Sequence, residues 1–236
     1  PLPGIADNEV LIKVKACGVC GSDVHGLDGS TGRRIPPLIM GHEASGSIAE
    51  TGSSVAGWKK GERVTFDSTV YPLDDWYTLR GLYNLSDNRE VLGVSPGTYR
   101  RHGAFAEYVA VPSHILYRIP DNVSFEQAAM VEAAAVALHA VNLSGTRIGD
   151  TCLVTGAGTI GIFLIKLLGI AGASFIAAAD LDEKSLEMAL TAGAGLACRP
   201  ADGRLSEALC SRTGGRGADV AFEAVGLSET VGLSIE

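Results

Sequence analysis

The chain has 236 residues, 46% of them apolar and 6% aromatic, which is enough for one large or two ordinary domains with cores of their own. Its 19 Lys and Arg stand against 27 Asp and Glu, a net charge of -8. That balance argues against a nucleic-acid partner, because phosphate backbones are met by basic faces. Five cysteines without framework spacing suit a reducing, cytoplasmic setting. The most apolar stretch, Ile160 to Leu168, is interrupted by Lys166 and falls short of the ~20 residues of a membrane helix, so no membrane partner is expected.

The first half reads as strands. Glu9 to Ala16 alternates, with Val10, Ile12 and Val14 on one face. Ser45 to Ala49, Arg63 to Phe66 and Ala104 to Val111 are short runs bounded by Gly or Pro, as strands between turns are. Gly57 to Glu62 reads as a turn leading into a strand. Residues 1–118 are therefore expected to form a β-rich domain. Ser124-Phe125-Glu126-Gln127 is a capping box and opens an Ala-rich helix from Phe125 to Val141.

From Gly149 the pattern alternates. Strands are expected at Thr151–Thr155, Ser174–Ala179, Leu196–Cys198 and Asp219–Val225, with helices at Ile160–Leu168 and Asp182–Thr191. Short connections between alternating strands and helices mean a parallel sheet wound by helices. A dinucleotide fold has six strands, whereas about four are legible here. The chain also begins at Pro1 without Met. Both observations lead to the expectation that the parent protein extends beyond both ends.

Two clusters carry metal chemistry. Cys20 lies in Ala16-Cys-Gly-Val-Cys-Gly-Ser-Asp-Val-His25, in what reads as a glycine-rich loop. About twenty residues on, Gly41-His42-Glu43 adds an imidazole and a carboxylate. Thiolate with imidazole suits zinc, and a catalytic zinc keeps three protein ligands and one open position. Cys17 and Cys20 form a Cys-x-x-Cys, but no second pair follows, and Cys17 reads as a small packed residue at a strand end. On the Ala-rich helix, Glu132 has Ala128, Ala129, Ala135 and Val136 one turn away. A carboxylate on such a face needs a partner or a metal to be buried. His139, further along that face, is expected to be packed or hydrogen-bonded.

A third motif, Gly156-Ala157-Gly158-Thr159-Ile160-Gly161, follows the strand Thr151–Thr155, opens a helix and has Asp180 nineteen residues further on. That is the context of a dinucleotide-binding loop. Gly156 serves the tight turn, Gly158 the approach of the pyrophosphate, and Gly161 the close packing of helix on strand. The backbone of Thr159 and Ile160 at the helix N-terminus offers N–H groups to phosphate. Asp180 at the end of the second strand would bond the adenosine ribose and repel a 2′-phosphate, which selects NAD over NADP. Asp182 is the helix cap. Ser185, with Lys184 beside it, stands where an arginine often faces the adenosine.

Together, Gly41-His42-Glu43 with Gly46, Gly52 and Val55, and the downstream glycine loop, make the chain resemble the zinc-containing medium-chain alcohol and polyol dehydrogenases over its whole length. The resemblance implies an α/β protein with a GroES-like catalytic domain at 1–118 and an incomplete Rossmann NAD-binding domain at 119–236. It implies that Cys20 and His42 ligate a catalytic Zn2+, that Asp23 orients His42, and that Ser22 and His25 carry the proton to solvent. The third ligand is Glu43 or Glu132, and Glu132 is expected within one water of the ion. The four Cys of the family's structural zinc are replaced by Pro72, Asp75, Thr78 and Ser86, so one catalytic zinc and no structural zinc is expected. The implied activity is hydride transfer between a secondary alcohol, a polyol, and NAD, in a homodimer or homotetramer. Threonine or a vicinal diol is an alternative substrate, and a non-catalytic binding role is the alternative to an enzyme.

Overall fold

The computed structural model describes residues 2–29, 31–94 and 100–235. The chain divides into two compact units, Pro1–Glu132 and Ala133–Glu236.

The first unit is built on a five-stranded antiparallel sheet. Its strands are β1 (Glu9–Gly18), β2 (Glu43–Thr51), β3 (Arg63–Phe66), β7 (Tyr108–Pro112) and β8 (Leu116–Arg118), in the order β7-β1-β2-β3-β8. The alternation of β1 does what its period requires: Val10 and Ile12 are fully buried, and Val14 packs against the same core. Ile48, Val64, Val111 and Ile115 complete that core. The register of β1 on β2 shifts between Leu11 and Ile12 and again between Val14 and Ala16. Such irregularities bend a strand and increase its twist. A smaller sheet, β4 (Thr69–Val70), β5 (Glu90–Leu92) and β6 (Arg100–Arg101), lies beside a lobe at 72–89. Sequence patterning did not reveal it, because its strands of two or three residues carry no period and no alternation with helices frames them.

The capping box forms as expected: Gln127 N donates to Ser124 Oγ at 3.2 Å and Ser124 N donates to Gln127 Oε1 at 2.9 Å. The helix it opens is two, however. α2 (Phe125–Ala129) and α3 (Val131–Ser144) are separated by Met130, whose ψ of 0° interrupts the helical path. The stretch 119–132 belongs with the first unit rather than the second. Ser45 Oγ donates to Phe125 O at 2.6 Å, and the Arg63 guanidinium donates to Pro120 O and Val123 O. The compact unit thus extends past the expected limit at 118.

The second unit holds a parallel sheet of β9 (Thr151–Thr155), β10 (Phe175–Ala179), β11 (Leu196–Cys198) and β12 (Val220–Glu223), in the order β11-β10-β9-β12. This is the 3-2-1-4 portion of the doubly wound dinucleotide order. All five residues of β9 are buried, as befits a central strand covered on both faces. Its alternate side chains feed two cores. Cys152 and Val154 pack with Leu164, Ile165 and Leu168 of α4 (Thr159–Ala171). Leu153 packs with Leu205 and Leu209 of α6 (Arg204–Thr213). α5 (Glu183–Ala192) begins at Asp182, whose Oδ2 accepts from Ser185 N at 2.9 Å. α7 (Ser228–Ile235) follows β12. Among the described residues no helix is long and apolar enough to cross a membrane.

Candidate metal centre and nucleotide loop

The expected loop after Cys20 is a short helix, α1 (Gly21–Gly26), entered from the end of β1 with Cys20 at its N-cap. Three residues on, Asp23 folds back under the cap and accepts from Cys20 N at 3.3 Å. This carboxylate is 2% exposed. It is balanced by Arg34, buried to 7%, whose Nε and Nη2 donate to Asp23 Oδ1 at 3.4 and 3.3 Å. A buried carboxylate so paired is far less costly than an isolated one. Arg34 Nη2 also donates to Ser22 Oγ at 3.2 Å. Arg34 was not singled out in the sequence, where it is one half of an Arg-Arg pair in a polar loop.

His42 and Glu43 enter at the start of β2, both nearly buried. The turn before them depends on Gly41, at φ +95°, against which Gly103 packs so closely that a Cβ on Gly103 would come within 2.2 Å of Gly41 O. His42 Nδ1 lies 3.5 Å from Asp23 Oδ1, and Nε2 lies 4.0 Å from Glu43 Oε1. The first separation falls within ion-pair reach, yet Nδ1 has no hydrogen bond among the described residues. At 3.5 Å the pair sits at the outer edge of hydrogen-bond geometry, so it is better read as an orientation than as a bond.

Ligand atoms of Cys20, His42 and Glu43 all lie within 4.8 Å of one another. One sulfur, one imidazole nitrogen and one carboxylate oxygen on a common centre is a donor set that fits zinc. Burial pushes the Cys20 thiol up, opposed by hydrogen bonding from Ser22. A coordinated thiol loses its proton to the ion's charge. Cys17 is different: burial above all, with Asp23 and Glu43 adding to it, pushes it up to about 11, so it stays a neutral thiol near pH 7.

Glu132 stands apart from that trio. It lines the same cavity as His42, and burial raises its carboxyl above the usual range while His42 acts in the opposite sense. It does not join the three clustered donors. His139 is exposed on α3, so of the two expectations, packed or hydrogen-bonded, the packed one does not hold. Ser22 and His25 are both exposed on α1. The cavity has a volume of about 600 Å³ and is lined by Ser22, Ser68, His42, Glu132 and three arginines, with Val91 and Val94 its apolar contributors among the described residues.

In the 72–89 lobe, three of the four positions that the resemblance matches to structural-zinc cysteines are tied by hydrogen bonds. Asp75 Oδ1 accepts from Thr78 N at 2.7 Å, and Asp75 Oδ2 accepts from the Ser86 hydroxyl. These bonds, that from Ser86 first, hold the Asp75 carboxyl below its usual range.

The glycine loop lies within the second unit, at the carboxyl end of β9. Gly156 has φ +94°, and a Cβ on Gly161 would come within 1.9 Å of Gly156 O. A Cβ on Gly158 would meet nothing within 4 Å, which leaves open space over the N-terminus of α4 and fits a pyrophosphate. Thr159, Ile160 and Gly161 form the first turn of that helix, where N–H groups have no intrahelical acceptor. Asp180 fastens the loop: Oδ2 accepts from Ala157 N at 2.7 Å and Oδ1 from Asp182 N at 2.9 Å.

Residues 6–121 match the family profile described as the alcohol dehydrogenase GroES-like domain, and residues 159–236 match that described as zinc-binding dehydrogenase. The chain belongs to the zinc-binding alcohol dehydrogenase family. It is 36% identical to (R,R)-butanediol dehydrogenase of Bacillus subtilis over 99% of this chain and 68% of that protein. It is 35% identical to D-xylulose reductase of Saccharomyces cerevisiae over 100% of this chain and 67% of that protein. A protein of Sinorhizobium meliloti 1021 solved with NADP bound superposes with a TM-score of 0.88 at 33% identity, covering 98% of this chain and 66% of that one. The chain thus spans about two thirds of the length of these relatives. Both expected halves, GroES-like and dinucleotide-binding, are those of the family.

Proposed function

We propose that the protein is a zinc-dependent dehydrogenase that oxidises a secondary alcohol, a polyol, with NAD. Residues 1–118, with the 119–132 segment packed on them, hold metal and alcohol, and the remainder of 119–236 holds the dinucleotide. The observation that carries this is the convergence of Cys20, His42 and Glu43 on one centre, in a chain that also folds a glycine loop with its Asp180 anchor.

Cys20, His42 and Glu43 would hold the ion, with Glu132 facing it across the cavity. When bound, zinc would supply a Lewis acid to make a substrate hydroxyl more acidic, and a nicotinamide would supply the hydride acceptor. Asp23 sets the tilt of the His42 ring, the role that outer carboxylates play at zinc sites. It also carries the charge that keeps Arg34 in place. Arg34 in turn fixes the Ser22 hydroxyl as an acceptor, leaving its own proton free to be relayed by way of His25 to solvent. The hydroxyls of Ser22 and Ser68 and the charged lining suit a substrate with several hydroxyls better than a simple aliphatic alcohol.

The Asp180 carboxylate keeps lone pairs beyond those given to Ala157 and Asp182, which supports ribose binding and disfavours a 2′-phosphate. The test is NAD and NADP reduction across a panel of polyols, diols and threonine in wild type and Asp180→Ala. Wild type is expected to prefer NAD, and the variant to narrow the gap. Because Ala157 N loses its acceptor too, the variant should also bind both cofactors less tightly. A wild type that prefers NADP would overturn the NAD reading; no turnover of any alcohol by zinc-loaded protein would overturn the enzymatic one.

A further inference from the structure

The glycine loop of the second unit is fastened from both strands that flank β9. On the β10 side, Gly156 N donates to Ala179 O at 2.8 Å and Ala157 N donates to Asp180 Oδ2 at 2.7 Å. On the β12 side, Ala224 N donates to Thr155 O at 2.8 Å. The next residue packs on the loop itself: a Cβ on Gly156 would come within 2.6 Å of Val225 Cγ2. Burial does little to hold the turn that carries Val225. Val225 is 49% exposed and Leu227 55%, and a Cβ on Gly226 would meet nothing within 4 Å. The turn is held instead by Glu223, the last residue of β12. Its Oε1 accepts from Val225 N at 2.8 Å, from Gly226 N at 2.9 Å and from the Thr230 hydroxyl at 2.7 Å. Hydrogen bonds to a carboxylate are about twice as strong as neutral ones, and these three tie the strand end to its turn and to the start of α7.

Resting on the dinucleotide half of the reading above, we propose that Glu223 is a positioning residue for dinucleotide binding. It holds the turn after β12 so that Val225 buttresses Gly156 and the loop keeps the pose that a pyrophosphate meets. Without those bonds the turn samples other conformations, and binding carries the cost of ordering it. Glu223 acts through its acceptor oxygen and not through its charge.

The experiment titrates NADH fluorescence in wild type, Glu223→Ala and Glu223→Gln, with NADPH alongside and a urea midpoint for each protein. Glu223→Ala should raise the Kd of the preferred cofactor by about 10-fold or more, the worth of a hydrogen bond to a charged acceptor, in protein that is still folded by circular dichroism. Glu223→Gln, whose Oε1 can accept the same three bonds, should recover most of that loss. An unchanged Kd in Glu223→Ala, with or without a lower urea midpoint, would overturn the inference and leave Glu223 a structural residue. A Glu223→Gln protein as weak as Glu223→Ala would overturn it too, because charge and not geometry would then be acting. Both of those results leave the dinucleotide reading standing. A wild type that binds neither cofactor would overturn that reading and this inference with it. If Glu223→Ala does not fold, Val225→Ala decides, since it removes the buttress and keeps the hydrogen bonds: a raised Kd supports the inference and an unchanged one overturns it.

Discussion

At the scale of single residues, two carboxylates compete for one role. Glu43 lies with Cys20 and His42 within 4.8 Å, whereas Glu132 reaches the same cavity from α3 without joining them. The proposed site therefore predicts unequal losses. Glu43→Gln should lower zinc affinity by more than the 10–100-fold usual for an outer-sphere change, and Glu132→Gln by no more than about that range. Competition with a chelator measures both; a larger loss in Glu132→Gln would exchange the two roles. The sequence made Cys20, His42 and Asp23 legible because residue type and spacing carry their chemistry. It could not rank Glu43 against Glu132, because one follows its histidine directly and the other sits ninety residues away on a helix. Arg34 was missed for a related reason. A buried arginine is recognisable only by its partner, and Asp23 is eleven residues upstream.

At the scale of elements, the nucleotide loop depends on one helix making two kinds of glycine contact. In α4, Gly161 sits where a Cβ would come within 1.9 Å of Gly156 O, while at Gly169 a Cβ would meet nothing within 4 Å. The same substitution should therefore have opposite effects. Gly169→Ala is expected to stabilise the unit by about 0.5–1 kcal/mol through helix propensity. Gly161→Ala should destabilise it by about 1–3 kcal/mol through overpacking and weaken NADH binding with it. Urea unfolding and NADH fluorescence titration check the pair, and equal effects at both sites would show that the loop geometry does not depend on this contact. β3 and β9 run as the hydrophobic runs indicate, and the three-residue β11 was readable because it falls in the alternation of strand and helix. What escaped were α1, which is six residues long, and the two- and three-residue strands of the small sheet, which are short and lie outside any strand–helix alternation that would frame them. The break at Met130 escaped as well, since no Pro or Gly marks it.

At the scale of the whole molecule, the two halves are stabilised in different ways. The first is an antiparallel sheet closed around Val10, Ile12, Ile48 and Val64, the second a parallel sheet buried on both faces. In the 72–89 lobe, Asp75, Thr78 and Ser86 form hydrogen bonds at three of the positions that the sequence resemblance matches to structural-zinc cysteines. The lobe thus has a polar clasp with no thiolate at these positions, which supports the proposal of a single zinc at Cys20, His42 and Glu43. Zinc content of the purified protein, compared with that of Cys20→Ser, tests this most directly. The account predicts one equivalent per chain in wild type and its loss from the variant. Two tightly bound equivalents in wild type, or one equivalent retained without the Cys20 thiolate, would contradict it.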